Sequence, residues 1–296
     1  MVETLTTAFG KQIKAALSLS KAAGVITEEN VFQEGDADIL PLLDEMVESL
    51  TLPGSRLDGL ENLEDLLAKA ESGKSCLLLA EHYSNMDLSI ISIMARKAGG
   101  RGNDIDKALV AIAGMKLNED NPVVAAFASA HTRIVICPSR SLQDLDPEKD
   151  KAELARSNGI NRAAMKALIR SKHKGRLILV FPSGTRYRAW DPETKKGVRE
   201  IDTYIRSFDY MCFVALNGEV LHVQKTDMMN DAVSKDILLV TAGPVLSCEE
   251  FREKARAAAA DDEDKKQVVA DAIMIELEKM HIAAETERLK LFDAKM

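Results

Sequence analysis

The segment CLLLAEHYSNMDLSIISIMARKAG, residues 76–99, decides the fold. It begins with a short apolar run, continues through a polar turn, and ends in a longer segment whose apolar residues recur at helical spacing. A buried strand that leads through a turn into a helix is the repeating unit of α/β proteins. The segment therefore predicts an α/β domain in which polar turns follow the carboxyl ends of strands, where α/β enzymes place their chemistry.

Five more short runs rich in Leu, Ile and Val follow along the chain, and helix-length segments separate most of them. They lie at 108–113, 133–137, 176–181, 211–216 and 236–242. Runs that are apolar throughout are typical of strands buried on both faces. The pattern predicts an α/β fold with a mostly parallel mixed sheet flanked by helices.

The first part of the chain has a different pattern. Apolar residues recur at helical spacing in three segments of residues 1–70, and the Pro-Gly stretch at 51–59 is predicted to be a loop. We expect a small helical N-terminal domain over 1–70 and an α/β domain over 71–296. Within the second, one helix is predicted to begin at Asp146-Pro147 and a long final helix to cover about 249–290.

The composition excludes some partners. The 296 residues carry a formal net charge of −8, so they lack the basic excess that duplex nucleic acid requires, and we predict no nucleic-acid partner. No apolar segment approaches the ~20 residues needed to span a bilayer, and the N-terminal segment lacks the features of a secretory signal. We expect a cytoplasmic protein, free or resting peripherally on a membrane surface.

The four cysteines and five histidines show no spacing typical of metal ligands, and no two cysteines form a C-x-x-C pair. Three of the cysteines lie in the apolar runs. This pattern favours four buried thiols in a reducing compartment. We therefore predict no disulfide and no metal site.

His82 directly follows the first buried run, and Asp87 stands five residues later at the start of the helical segment. A turn from a strand into a helix lets the carboxylate fold back toward the imidazole. It can then accept a hydrogen bond from one ring nitrogen and leave the other free to take a proton. The pair is a candidate general base with its orienting partner, and Ser84 or Asn85 is a candidate cap for the helix.

Spacing alone does not make this pair specific, because His222 and Asp227 repeat it. The second pair follows the core runs and has no apolar helix behind it. We interpret His222 as structural.

A second polar turn, PSGTRYR at 182–188, follows the apolar run RLILVF. Gly184 permits a conformation in which backbone N–H groups converge on an anion. Arg186 and Arg188 add two guanidinium groups, which suit phosphate oxygens. Five basic residues against two acidic ones lie within 186–199, in a chain that is acidic overall. The turn is a candidate anion site; the alternative is a solvated basic loop balanced by acidic neighbours.

Together the two turns resemble the glycerolipid acyltransferase superfamily. Its members carry H-x-x-x-x-D after a strand and, roughly a hundred residues later, a strand that ends in F-P-x-G-T-R. The segments His82 to Asp87 and Phe181 to Arg186 match both motifs in order and in separation, whereas nothing follows the pair His222 and Asp227. The similarity covers about residues 70–245.

Within the superfamily the chain more closely resembles the soluble, plastid-type glycerol-3-phosphate 1-acyltransferases and their bacterial relatives. Those enzymes have a helical N-terminal domain and the motif P-S-G-x-R-x-R, which residues 182–188 match. They also have a serine followed by two basic residues and a histidine. Ser139 and Arg140 resemble the start of that cluster, but Ser141-Leu142 replaces its remainder. A later strand carries Phe213 where the family usually has proline.

The resemblance implies transfer of a fatty acyl group from an acyl carrier protein or coenzyme A thioester to the sn-1 hydroxyl of glycerol 3-phosphate, without a cofactor. It implies that His82 is the general base and that Asp87 orients it. The implied phosphate-binding residues are three arginines: Arg186, Arg188 and Arg140. The implied oxyanion loop consists of Ser183, Gly184 and Thr185.

Three other activities are compatible with these motifs. An enzyme that acylates lysophosphatidate at the sn-2 hydroxyl shares both, although the N-terminal helices and the P-S-G-x-R-x-R motif favour glycerol 3-phosphate. A hydrolase would use water as the acceptor, but no G-x-S-x-G motif for a serine mechanism occurs. A non-catalytic lipid- or anion-binding relative is expected to lack the base or its partner, whereas both are present.

Overall fold

The computed structural model describes residues 3–142 and 145–293. Within these ranges the chain forms twelve α-helices: α1 (Leu5–Ala8), α2 (Gly10–Leu19), α3 (Leu40–Leu50), α4 (Leu60–Glu71), α5 (Asp87–Lys97), α6 (Gly102–Ala108), α7 (Lys116–Glu119), α8 (Pro122–Ala128), α9 (Lys151–Lys172), α10 (Ile201–Ser207), α11 (Cys248–Ala257) and α12 (Lys265–Asp293). The same ranges contain eleven strands: β1 (Phe32–Gln33), β2 (Arg56–Asp58), β3 (Cys76–Ala80), β4 (Leu109–Gly114), β5 (Arg133–Ile136), β6 (Leu177–Val180), β7 (Tyr210–Asn217), β8 (Leu221–His222), β9 (Ala232–Val233), β10 (Leu239–Ala242) and β11 (Leu246–Ser247).

Nine of the strands that the structure describes form one mixed sheet. Its order is β1-β5-β4-β6-β3-β7-β10-β2, and β11 pairs with β7. All neighbours from β5 to β7 run parallel, and so do β10 and β2. The antiparallel pairs are β1 with β5, β10 with β7 and β11 with β7. The predicted α/β fold, with a mostly parallel mixed sheet flanked by helices, is confirmed.

The side chains of β3 show how the sheet is buried on both faces. Leu77 and Leu79 pack into one hydrophobic core, and Cys76, Leu78 and Ala80 pack into the other. Each of these side chains is at most 1% exposed. Because successive residues of a strand point to opposite faces, a strand between two helical layers must be apolar at every position.

The first 70 residues contribute strands as well as helices. The segment 51–59, predicted to be a loop, contains β2, which pairs in parallel with β10. That prediction was wrong because the turn at 53–54 leads into a strand of three residues, too short to show a period of two. In α4, Leu63 and Leu66 lie in the same core as Leu78 of β3. The division of the chain at residue 70 stays a prediction.

Two helix boundaries differ from those predicted. Asp146 accepts hydrogen bonds from two of the backbone N–H groups that follow it, but these bonds close a turn, and α9 begins at Lys151. The single helix predicted over 249–290 is divided into α11 and α12. Asp264 accepts a hydrogen bond from the backbone N–H of Lys266 at 3.0 Å, so its carboxylate supports a new helix start there.

The cysteines are buried, and all four are free thiols. Burial raises the pKa of Cys76 and Cys212 to about 12, so these two thiols are protonated and unreactive at neutral pH. Of the helices that the structure describes, none combines the length and the apolar character needed to cross a membrane.

Gly59 joins β2 to α4 in a backbone conformation that favours glycine. Its φ is 81°, and an added Cβ would lie 2.1 Å from the carbonyl oxygen of Ala242. We expect Gly59→Ala to lower the free energy of unfolding by about 3 kcal/mol or more, because the clash of the added Cβ with a backbone oxygen adds to the cost of a left-handed residue. Gly73→Ala is the matched control, since Gly73 has φ 90° and no neighbour within 4 Å. Equal losses in urea denaturation would contradict the expected clash.

Candidate active site

The two motif turns meet at the carboxyl edge of the sheet. The strands β3 and β6 are parallel neighbours, with Leu79 beside Val180, so the turns that follow them leave the sheet side by side. The imidazole of His82 stacks on the ring of Phe181, with centroids 4.0 Å apart and planes at 14°. The backbone N–H of Tyr187 donates to the carbonyl oxygen of His82 at 2.8 Å. Two segments far apart in sequence therefore form one site.

His82 and Asp87 are in direct contact. The Nδ1 atom of His82 lies 2.9 Å from Oδ2 of Asp87. Because a carboxylate only accepts hydrogen bonds, Nδ1 donates and Nε2 of the neutral ring carries the free lone pair. Among the described residues, Nε2 has no hydrogen-bond partner. The side chain of His82 is 18% exposed and that of Asp87 is 4% exposed, so the imidazole is accessible while its carboxylate partner is enclosed.

The turn between β3 and α5 is built around the Asp87 carboxylate. Its Oδ2 accepts the backbone N–H groups of Tyr83 at 2.6 Å and Ser84 at 2.9 Å, and its Oδ1 accepts the Ser84 hydroxyl at 2.7 Å. The position of Asp87 in the first turn of a helix also favours a negative charge. The predicted cap was wrong. The N-cap is Met86, without a side-chain cap bond. The Ser84 hydroxyl donates to Asp87 and accepts the backbone N–H of Met86 at 3.1 Å, one residue before the helix begins.

Some of the hydrogen-bond donors in the turn after β6 form bonds within the turn itself. Gly184 adopts φ 64°, and its N–H donates to the carbonyl oxygen of Phe181 at 2.9 Å. The buried hydroxyl of Ser183 donates to the carbonyl oxygen of Thr185 at 2.7 Å. Within the described chain, the backbone N–H groups of Ser183, Thr185 and Arg186 have no acceptor. These three are the donors that the turn leaves available for an oxyanion.

The three arginines predicted to bind phosphate have different surroundings. The Nη1 atom of Arg186 lies 2.8 Å from Oδ2 of Asp231, in a pair whose side chains are 13% and 1% exposed. The guanidinium of Arg188 pairs with no carboxylate in the part of the chain that the structure describes. Arg140 is exposed in the 3₁₀ turn after β5. Since β5 is two strands from β6, its end lies about 10 Å along the same edge. Arg186 and Arg188 thus flank the residue that bonds His82, whereas Arg140 lies farther away.

The other basic residues of this loop are balanced by acidic neighbours. Three of them form ion pairs with carboxylates: Lys195 with Glu278, Lys196 with Glu193, and Arg199 with Asp264. These three residues therefore fit the alternative interpretation, a solvated basic loop balanced by acidic neighbours. Of the five basic residues, Arg186 and Arg188 remain candidates for binding an anion.

A buried carboxylate next to His82 was not predicted from the sequence. Glu81 accepts the hydroxyl of Tyr83 and the backbone N–H of Leu216, each at 2.9 Å, and lies 2.9 Å from Nδ1 of His281. Burial alone would lower the pKa of His281, but the hydrogen bond and charge of Glu81 raise it. Burial and the same carboxylate raise the pKa of Tyr83. The network ties the turn that carries His82 to β7 and α12. No sequence signal links a glutamate to a histidine 200 positions later.

The second pair with the same spacing does not form a dyad. The Nε2 atom of His222 lies 2.7 Å from the Ser234 hydroxyl, and its Nδ1 lies 3.2 Å from Glu219. Asp227 instead accepts the backbone N–H of Met229 at 2.7 Å. The surrounding fold, and not the spacing, decides which histidine receives a carboxylate.

An imidazole bonded to a carboxylate, beside a candidate anion-binding turn at the carboxyl edge of an α/β sheet, is an arrangement that can activate a hydroxyl group. In the described residues, no three His, Cys, Asp or Glu side chains converge to hold a metal ion. A family model described as Acyltransferase matches residues 55–243, which include both motif turns. The chain therefore belongs to the acyltransferase family, within the glycerolipid acyltransferase superfamily, and is an acyl-transferring enzyme. No curated protein matches the chain.

Proposed function

We propose that the enzyme transfers a fatty acyl group from an acyl carrier protein or coenzyme A thioester to the sn-1 hydroxyl of glycerol 3-phosphate. The observation that carries this proposal is the position of His82. One ring nitrogen is bonded to Asp87, the other is free, and the turn that contacts it carries Arg186 and Arg188. An acceptor with both a hydroxyl and a phosphate fits a base that lies beside guanidinium groups.

In the proposed reaction, Nε2 of His82 takes the proton of the hydroxyl as that oxygen attacks the thioester carbonyl. The carbonyl oxygen becomes an oxyanion, to which the backbone N–H groups of Ser183, Thr185 and Arg186 are available. The intermediate collapses with cleavage of the carbon–sulfur bond. The thiolate leaves and takes the proton from the imidazolium, which Asp87 has stabilised. The products are lysophosphatidate and the free thiol of the carrier, and no cofactor is consumed.

The phosphate contributes orientation. Binding energy from this non-reacting group holds the acceptor so that one hydroxyl meets the base. We assign the phosphate to Arg186 and Arg188, with Arg140 in a more distant role, and the activity to the cytoplasm or to the surface of a membrane.

Purified enzyme with a fatty acyl thioester tests the proposal. Free thiol and acylated product are measured with glycerol 3-phosphate, with lysophosphatidate, and with water as the only acceptor. We expect transfer chiefly to glycerol 3-phosphate. Faster transfer to lysophosphatidate would reassign the acceptor, thiol release without any acceptor would indicate a hydrolase, and the absence of thiol release would indicate a non-catalytic binding protein.

Replacement of either arginine of the turn tests the phosphate assignment. We expect Arg186→Ala and Arg188→Ala each to raise the KM for glycerol 3-phosphate about 10- to 100-fold, which corresponds to the loss of one charge-assisted hydrogen bond. The KM for the thioester should stay the same. Arg199→Ala is the matched control, because Arg199 lies in the same loop and is paired with Asp264. A normal acceptor KM in both variants would refute the assignment.

A further inference from the structure

Arg186 is held from behind by a carboxylate that no motif includes. Asp231 is 1% exposed, and its Oδ2 accepts the Nη1 group of Arg186 at 2.8 Å. Its Oδ1 accepts the backbone N–H of Gln224 at 2.9 Å. Both oxygens of the carboxylate are thus engaged, one by the arginine and one by the loop between β8 and β9.

The same loop is fixed by the beginning of the described chain. The backbone N–H of Leu5 donates to the carbonyl oxygen of Asp231 at 2.9 Å, and the hydroxyl of Thr6 donates to that of Met229 at 2.8 Å. Thr4 forms a β-bridge with Ala232. Asp231 therefore sits at a point where three separate segments of the chain are joined.

The contact with Asp231 leaves part of the guanidinium free. The Nε and Nη2 atoms of Arg186 have no partner among the described residues, and neither is enclosed. A guanidinium is planar, so fixing Nη1 also fixes the direction of its other N–H groups. An arginine that binds an anion in a fixed orientation needs a buried acceptor on one side and free N–H donors on the other. Arg186 has both.

We infer that Asp231 is the positioning residue that aims Arg186 at the phosphate of the acceptor, an inference that rests on the proposed function. It acts through Arg186 and does not touch the substrate. The anchored loop and the Leu5 contact hold the carboxylate in place, so the orientation of Arg186 is set before the acceptor binds. The side chain of Arg186 then loses no rotamer freedom when the acceptor binds, so this entropy loss does not weaken binding.

The substitution Asp231→Asn separates this role from a simple balance of charge. An asparagine offers one carbonyl oxygen where two donors, from Arg186 and Gln224, need acceptors, so one contact is lost. It also removes a negative charge close to the anion site. If orientation dominates, the KM for glycerol 3-phosphate rises; if Asp231 only neutralises charge, that KM falls.

The experiment measures kcat, the KM for glycerol 3-phosphate, the KM for the thioester and the inhibition constant of inorganic phosphate in the full chain. For Asp231→Asn we expect the acceptor KM and the phosphate inhibition constant to rise about tenfold, with little change in kcat or in the thioester KM. The matched control is Asp202→Asn. Asp202 is also 1% exposed and bonded to an arginine, Arg252 at 2.7 Å, but it contacts neither motif turn.

A second comparison works even if the single variant folds poorly. In an Arg186→Ala background, Asp231→Asn removes a buried charge that already lacks its partner, so the double variant should be at least as stable as Arg186→Ala. If Asp231 acts through Arg186, the double variant has the acceptor KM of Arg186→Ala alone.

The inference is overturned if Asp231→Asn leaves the acceptor KM unchanged or lowers it. A further rise in KM in the Arg186→Ala background, or an equal rise in Asp202→Asn, also overturns it. The proposed function fails separately, and the inference with it, if the wild-type chain neither acylates glycerol 3-phosphate nor is inhibited by inorganic phosphate.

Discussion

Replacement of His82 by alanine is expected to lower kcat for acyl transfer by ~10²–10⁴-fold, the usual contribution of a positioned general base. The ring contributes a nitrogen that has no other partner among the described residues. The other described side chain bonded to Asp87 is that of Ser84, and its hydroxyl is too weak a base to replace the imidazole. The fold should survive, because the ring is partly exposed and stacks on Phe181, which stays in place. The measurements are initial rates at saturating acceptor and a circular dichroism melting curve.

The chain contains a matched control for this variant. His222 has the same H-x-x-x-x-D spacing, but it bonds to Ser234 and not to Asp227. We expect His222→Ala to retain full kcat. Wild-type turnover in His82→Ala would show that another group takes the proton, and an equal loss in both variants would point to a general effect on the fold.

The second large effect is expected for Asp87→Asn, in both activity and stability. The amide nitrogen of asparagine donates where the carboxylate accepted, so Nδ1 of His82 no longer has an acceptor and the ring favours the other tautomer, with the proton on Nε2. We expect kcat to fall ~10²–10⁴-fold. We also expect the free energy of unfolding to fall by about 3 kcal/mol, because donors from Tyr83 and Ser84 converge on the same carboxylate.

Kinetics across pH and urea denaturation test both halves of this prediction. The control is Asp227→Asn, because Asp227 accepts a single backbone N–H in an exposed 3₁₀ turn. A variant with wild-type kcat would show that His82 does not depend on its carboxylate. A loss of activity with unchanged stability would show that the turn folds without it.

The parts of the fold that the sequence predicted are those that local pattern determines. The strands β3 and β6 are uninterrupted apolar runs, because helices cover both faces of the sheet, and each run ends at a polar turn. Their adjacency was not visible in the sequence, since strand order is decided by long-range pairing. We could expect the two turns to lie together only because the chain resembles a family in which they form one site.

The parts that were missed arise from tertiary contacts. β2 has three residues and exists because β10 offers it a free edge. Asp231 lies in a loop without a recognisable motif, and only the structure shows that its carboxylate contacts Arg186. Likewise, Arg188 could not be separated from Lys195, Lys196 and Arg199 until their carboxylate partners were known.

The bond between Glu81 and His281 has a consequence for the time course of biosynthesis. The glutamate directly precedes His82, but its partner lies on α12, the last helix of the described chain. While α12 is still being synthesised, β3 and both motif turns have already been made, and the carboxylate of Glu81 lacks its partner His281. The hydrogen bonds around the turn that carries His82 are therefore complete only after α12 has packed against β7.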